Sequence, residues 1–160
     1  MTDIKPKIAI SIGDLNGIGI EIALRCHEKI SKICHPIYCI NSKMLEKTSD
    51  KLKIEIPKDF ELFETKGDFE IKEGTVSKKA GKYSYDSFMD AINLADKKKV
   101  DAICTLPINK ESWNKADIKY KGHTEVLRDY FGKNAIMMLG CKKMFVALFT
   151  EHIPFKTVTH

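Results

Sequence analysis

The 160-residue sequence has no Cys-x-x-Cys pair among its five cysteines, Cys26, Cys34, Cys39, Cys104 and Cys141. An odd count without that spacing argues against a disulfide framework and a zinc ribbon, and predicts reduced cysteines packed as small buried hydrophobes. No apolar run approaches the length needed to cross a bilayer, and no apolar h-region follows Met1-Thr2-Asp3-Ile4-Lys5-Pro6. The expectation is therefore a cytoplasmic protein that binds no membrane. The formal charge of +5 comes from scattered lysines that are not interleaved with aromatics, which argues against nucleic acid as a partner. What remains is a chain with 43% hydrophobic and 31% charged residues, long enough to bury a core.

Strands and helices alternate along it. Lys7–Ile12 reads as a first strand, Ile20–Lys29 as a helix and Pro36–Ile40 as a second strand. Ser42 is the expected N-cap of a short helix carrying Met44 and Leu45. Residues 51–76 change to short alternating pieces, Lys53–Ile56 and Phe60–Glu64, expected to form a peripheral excursion or edge region. Ser77–Lys82 is a basic turn, and Phe88, Ala91, Ile92 and Ala95 form the apolar stripe of the next helix, which ends near Lys97-Lys98-Lys99. Val100–Cys104 is a buried strand. This alternation predicts an α/β fold with a mostly parallel sheet and flanking helices. Ala135–Gly140 and Met144–Thr150 are two more apolar strands, expected to be covered on both faces because neither alternates.

The segments that could carry chemistry follow strands. Gly13-Asp14-Leu15-Asn16-Gly17-Ile18-Gly19-Ile20-Glu21 turns the first strand into a helix with three glycines in seven residues. No Gly-Lys-Ser/Thr closes it, so it is not a phosphate-binding Walker loop, and Ile22 stands where a dinucleotide fingerprint needs its third glycine. Two readings stay open: a loop that approaches a ligand, or a tight turn in which Asp14 or Asn16 makes local backbone bonds. Thr105-Leu106-Pro107-Ile108-Asn109-Lys110 leaves the sheet at Pro107 as a second polar loop. Gly122-His123-Thr124-Glu125, with Lys119 and Lys121 before it, precedes a short amphipathic helix through Phe131 that Gly132 closes. A helix start beside two lysines, an imidazole and a hydroxyl suits an anion such as phosphate. The alternative is that Thr124 only caps the helix and His123 is a half-buried loop residue. In a parallel sheet the carboxyl ends share one edge, so one crevice could gather Gly13-Asp14, Thr105–Lys110 and Glu151-His152.

Thr105–Lys110, Gly122–Glu125, Met137-Met138-Leu139 and Glu151-His152-Ile153-Pro154 together resemble the 4-hydroxythreonine-4-phosphate dehydrogenase family of pyridoxal phosphate biosynthesis. The Gly13–Glu21 loop is similar to that family's Gly-Asp-Pro-x-Gly-Ile-Gly-Pro-Glu opening, with Leu15 and Ile20 in place of the prolines. The resemblance implies the isocitrate/isopropylmalate dehydrogenase-like fold, and a chain corresponding to the N-terminal portion of an α/β dehydrogenase. It implies NAD- or NADP-dependent oxidation of 4-phosphooxy-L-threonine to a 3-oxo acid that decarboxylates to 3-amino-2-oxopropyl phosphate. His152 would be one ligand of a divalent metal, zinc, magnesium or cobalt, and His123 and Thr124 would contact the substrate. Asp14, Asn16 and Lys110 mark the candidate active-site loops, and no catalytic residue is assigned. The other metal histidines, the phosphate contacts and the main nucleotide-binding elements belong to a second half, and the family's site is completed across a homodimer. A paralogue acting on another phosphorylated four-carbon hydroxy acid, such as a threonate phosphate, or a silent half-domain or binding module are the alternatives.

Overall fold

The structure, a computed structural model, describes residues 5–133, 136–150, 153–154 and 156. It divides into two compact units, Met1–Lys119 and Tyr120–His160.

The first unit is built on four parallel strands: β1 (Lys7–Ser11), β2 (His35–Cys39), β3 (Glu61–Phe63) and β4 (Ala102–Thr105), in the order β3-β2-β1-β4. The helices are α1 (Gly19–Ile30), α2 (Ser42–Leu52), α3 (Lys78–Asp96) and α4 (Lys110–Lys115). Successive strand residues point to opposite faces, and the two cores follow from that alternation. Ile10 and Tyr38 face a cluster with Ile20, Leu24, Met44 and Leu45, the apolar stripes of α1 and α2. Ala9 and Cys39 face the other way, onto Ala91 and Leu94 of α3. The parallel sheet expected from the alternation is present, with β3 as its edge on the side of the 51–76 excursion.

α4 is held against α3 at very close range. A Cβ at Gly81 would lie 2.0 Å from the Ser112 carbonyl oxygen, so only glycine admits this approach. Trp113, wholly buried, donates from Nε1 to Ser84 Oγ at 2.7 Å and meets the Tyr85 ring edge-on at 5.5 Å. A buried indole with its N–H satisfied is worth about 3 to 5 kcal/mol against alanine.

Several expectations are corrected. The N-cap of α2 is Asn41, whose side chain accepts from the Met44 N–H at 2.8 Å, and Ser42 is the first helical residue. Lys78, Lys79 and Lys82 lie inside α3, with Ser77 as its cap, so the basic stretch is a first helical turn. Lys53–Ile56 forms no strand, because α2 runs to Leu52 and Lys53 closes it in the left-handed conformation at φ 54°. Cys34 and Cys39 are buried, but Cys104 and Cys141 are exposed, so the cysteines are not uniformly core residues.

The second unit holds α5 (His123–Phe131), β5 (Met138–Cys141) and β6 (Met144–Ala147). Gly132 closes α5 at φ 58°, as the sequence predicts. The two apolar strands are not covered on both faces and do not join the parallel sheet. They pair with each other as an antiparallel hairpin, Leu139 opposite Val146, and every residue of both is exposed. The exposed set includes Met138, Leu139, Met144, Phe145 and Val146. A run of apolar residues reads the same whether a neighbouring element or a partner will cover it.

Candidate functional site

The chain runs from β1 outward through β2 to β3 on one side, then returns through α3 to β4 on the other. The carboxyl ends of β1 and β4 therefore flank the point where the winding reverses, the place where ligands bind in open α/β sheets. Two of the loops singled out from sequence meet there. The Leu106 N–H donates to Ser11 O at 3.0 Å and the Asp14 N–H to Pro107 O at 2.9 Å. Gly13 sits at φ 70°, and a Cβ on it would come within 2.2 Å of Pro107 O, so the glycine sets how closely the loops approach.

Side chains lock this junction. Asp14 Oδ1 accepts from the Asn16 N–H at 2.8 Å, and Asp14 Oδ2 accepts from Ser112 Oγ at 3.3 Å. Ser112 Oγ in turn accepts from the Ser77 N–H at 3.2 Å. Burial raises the Asp14 pKa, opposed by the bonds from Asn16 and Ser112. Asn16 clamps the turn before α3: its Nδ2 donates to Thr75 O at 2.9 Å, its Oδ1 accepts from the Lys72 N–H at 2.9 Å, and its carbonyl accepts from the Gly74 N–H at 2.8 Å. Asp14 and Asn16 thus join three loops through buried and partly buried hydrogen bonds, the local-bond reading of the glycine-rich turn extended to distant partners. Lys110 opens α4 and is exposed, while Asn109 caps that helix by accepting from the Ser112 N–H at 2.9 Å. Ser112 was not evident as a member of this site, because its partners lie far away in sequence.

In the second unit, His123 and Thr124 are the first two residues of α5, with Gly122 as N-cap and no side-chain cap bond. Thr124 therefore does not cap the helix. Glu125 serves the helix start instead: its Oε2 accepts from the Lys121 N–H at 2.7 Å. Burial pushes the His123 imidazole down to about 4, so the ring is neutral at pH 7 and offers one donor and one acceptor. This is a first helical turn carrying a neutral imidazole and a hydroxyl, suited to hydrogen-bonding an anionic or hydroxylated ligand.

The third member of the expected crevice is different. Glu151 and His152 lie outside the described residues, and the strand before them, β6, belongs to the antiparallel hairpin. Among the described residues no group of three His, Cys, Asp or Glu side chains could hold a metal ion. They do not by themselves fit a metal shell. No helix among them is long and apolar enough to cross a membrane.

Comparison with known proteins places these motifs in one family. The family model described as pyridoxal phosphate biosynthetic protein PdxA matches residues 32–160. The chain is 59% identical over 154 residues to a 4-hydroxythreonine-4-phosphate dehydrogenase of Sulfurimonas denitrificans, covering 96% of this chain and 50% of that protein. To the protein of the same name from Campylobacter fetus it is 56% identical, with the same coverage. The crystal structure of a 4-hydroxythreonine-4-phosphate dehydrogenase from Burkholderia phymatum superposes with a TM-score of 0.80 at 29% identity, over 94% of this chain and 51% of that one. The chain spans about half the length of the curated relatives it matches. On the family match and the shared fold, this chain belongs to the pyridoxal phosphate biosynthetic protein PdxA family.

Proposed function

We propose that the protein carrying this chain is an NAD-dependent dehydrogenase that oxidises the 3-hydroxyl of 4-phosphooxy-L-threonine, within pyridoxal phosphate biosynthesis. The observation that carries the reading is the 59% identity, over nearly the whole chain, to a protein named for that activity. In this reading His123 and Thr124 hold the substrate by hydrogen bonds at the start of α5. A neutral imidazole offers one donor and one acceptor for those bonds. In the first unit, the loops joined by Asp14 and Ser112 are held in one arrangement before any ligand arrives, and pre-setting avoids an ordering cost on binding. A bound nicotinamide cofactor, NAD or NADP, would supply the hydride acceptor.

The same reading includes a divalent metal with His152 as one ligand, and the remaining ligands must come from outside the described residues. It also includes a homodimer, supported by the exposed apolar side chains of the β5–β6 hairpin, which a second copy would cover. Because the chain spans about half of its relatives, the reading assigns turnover to the longer assembly and not to these residues alone. The test is NADH formation from 4-phosphooxy-L-threonine by the protein as encoded, compared with its Thr124→Val variant and with a threonate phosphate as competing substrate.

A further inference from the structure

A second concave site lies away from every residue assigned above. The loop after β3 and the first turns of α3 line an open cavity of about 420 Å3, within the usual range of about 300 to 1,000 Å3 for small-molecule sites. Its floor is apolar, made by the buried rings of Phe69 and Tyr83, whose centroids lie 5.7 Å apart. The Tyr83 hydroxyl is fixed outside the cavity's chemistry by accepting the Asn41 N–H at 3.0 Å. Gly67 forms part of the wall at φ 130°, and a side chain there would come within 2.9 Å of the Tyr83 ring.

The rim is basic. Lys66, Lys78, Lys79 and Lys82 line the cavity against only two carboxylates, Asp68 and Asp86. Both carboxylates are already engaged. Asp86 pairs with Lys82 one turn away, and Asp68 pairs with Lys43 at 2.6 Å and with Lys47, which hold its carboxyl down at about 2. Lys78 pairs with Asp117 at 2.6 Å. Among the described residues neither Lys66 nor Lys79 makes an ion pair, although the Lys66 charge acts on the Asp90 carboxyl of α3. Lys66 of the loop and Lys79 of the helix thus both line the same apolar-floored space.

We infer that this cavity binds a small organic phosphate carrying at least two negative charges, with Lys66 and Lys79 as its cation pair and the Phe69–Tyr83 floor beneath its organic part. A compact ammonium is a point-charge partner for phosphate, and two of them match a dianion better than a single carboxylate. The inference is independent of the dehydrogenase reading, since none of Asp14, Asn16, Lys110, His123 or Thr124 lines the cavity.

The test is an NMR titration of this chain at low salt with adenosine monophosphate and, separately, with inorganic pyrophosphate. Saturable adenosine monophosphate binding is expected at about 1 mM or tighter, with shifts at residues 66–69 and 78–83. Lys66→Gln with Lys79→Gln, both exposed, should weaken it at least about tenfold, whereas Lys29→Gln at the end of α1 with Lys32→Gln in the turn after it should leave it unchanged. Lack of saturation, equal loss in the two double variants, or shifts confined to other residues would each overturn the site. Pyrophosphate binding without adenosine monophosphate binding would overturn the role of the floor. A melting curve for each variant confirms that the fold is retained.

Discussion

Ser112 Oγ donates to Asp14 Oδ2 across 3.3 Å, joining two residues 98 apart in sequence at the point where the sheet's winding reverses. The bond is buried, and its acceptor is a carboxyl whose charged form burial disfavours. The sign of the pH effect follows. Because the folded-state pKa lies above the ordinary 3.8, Asp14 favours folding at low pH, and that contribution is lost as pH rises from 3.8 through the folded pKa. Asp14→Asn removes this loss while keeping an acceptor for the Asn16 N–H. Melting temperatures of the variant relative to the parent should therefore rise from about pH 4 to about pH 7; a constant difference would mean that Asp14 does not titrate with folding.

Asn16→Ala removes the clamp on the 72–75 turn and leaves the Lys72 N–H without its side-chain acceptor. The expected loss is about 2 to 3 kcal/mol, more than a surface substitution gives. Hydrogen exchange at Lys72 should accelerate together with that at Gly74, and unchanged protection of both would refute the clamp.

Gly81→Ala places a methyl 2.0 Å from the Ser112 carbonyl oxygen. Both sides of the clash are backbone, so α4 must move away from α3, at a cost of about 1 to 3 kcal/mol or more. Chemical denaturation measures it, and loss of the buried environment of Trp113 should appear as a red-shifted emission.

His123 gives the opposite pH sign to Asp14. Its folded-state pKa, about 4, lies below the ordinary 6.5, so its contribution is complete above pH 6.5 and is lost as pH falls through 4. His123→Gln keeps a polar side chain of similar reach and should flatten the acid limb of stability in that window. An unchanged acid limb would show that His123 protonates as freely folded as unfolded.

Phe145, 67% exposed on β6, is the test of the hairpin as a contact between copies. Phe145→Lys should weaken self-association about tenfold or more in sedimentation equilibrium, without lowering the melting temperature of the monomer. Equal association of parent and variant would place the contact elsewhere.

Much of the first unit was legible because local pattern and tertiary role agree there. Phe88, Ala91 and Ile92 of the apolar stripe read in α3 are wholly buried, and the strand-helix alternation leads directly to a parallel sheet. Cap identity was less legible at α2, since Asn41 and Ser42 are both good capping residues and only geometry chooses between them. The hairpin was misread because Met138 to Cys141 and Met144 to Ala147 carry the apolar residues of a buried strand while standing exposed. The Asp14–Ser112–Ser77 chain and the Asn16 clamp were invisible as partnerships, because their members are brought together by strand order and not by spacing.

In the proposed function the protein carrying this chain oxidises 4-phosphooxy-L-threonine with NAD, and Thr124 acts on substrate and not on the helix start, where Gly122 is the cap. The most direct measurement is NADH formation by the encoded protein and its Thr124→Val variant, each with substrate, NAD and a divalent metal, alongside their melting temperatures. Turnover is expected in the parent, with a fall of about tenfold or more in kcat/KM for the variant, equivalent to about 1.4 kcal/mol of transition-state binding, and no matching loss of stability. No NADH from this substrate under conditions that oxidise a threonate phosphate would contradict the substrate assignment, and full activity in Thr124→Val would contradict the role of Thr124.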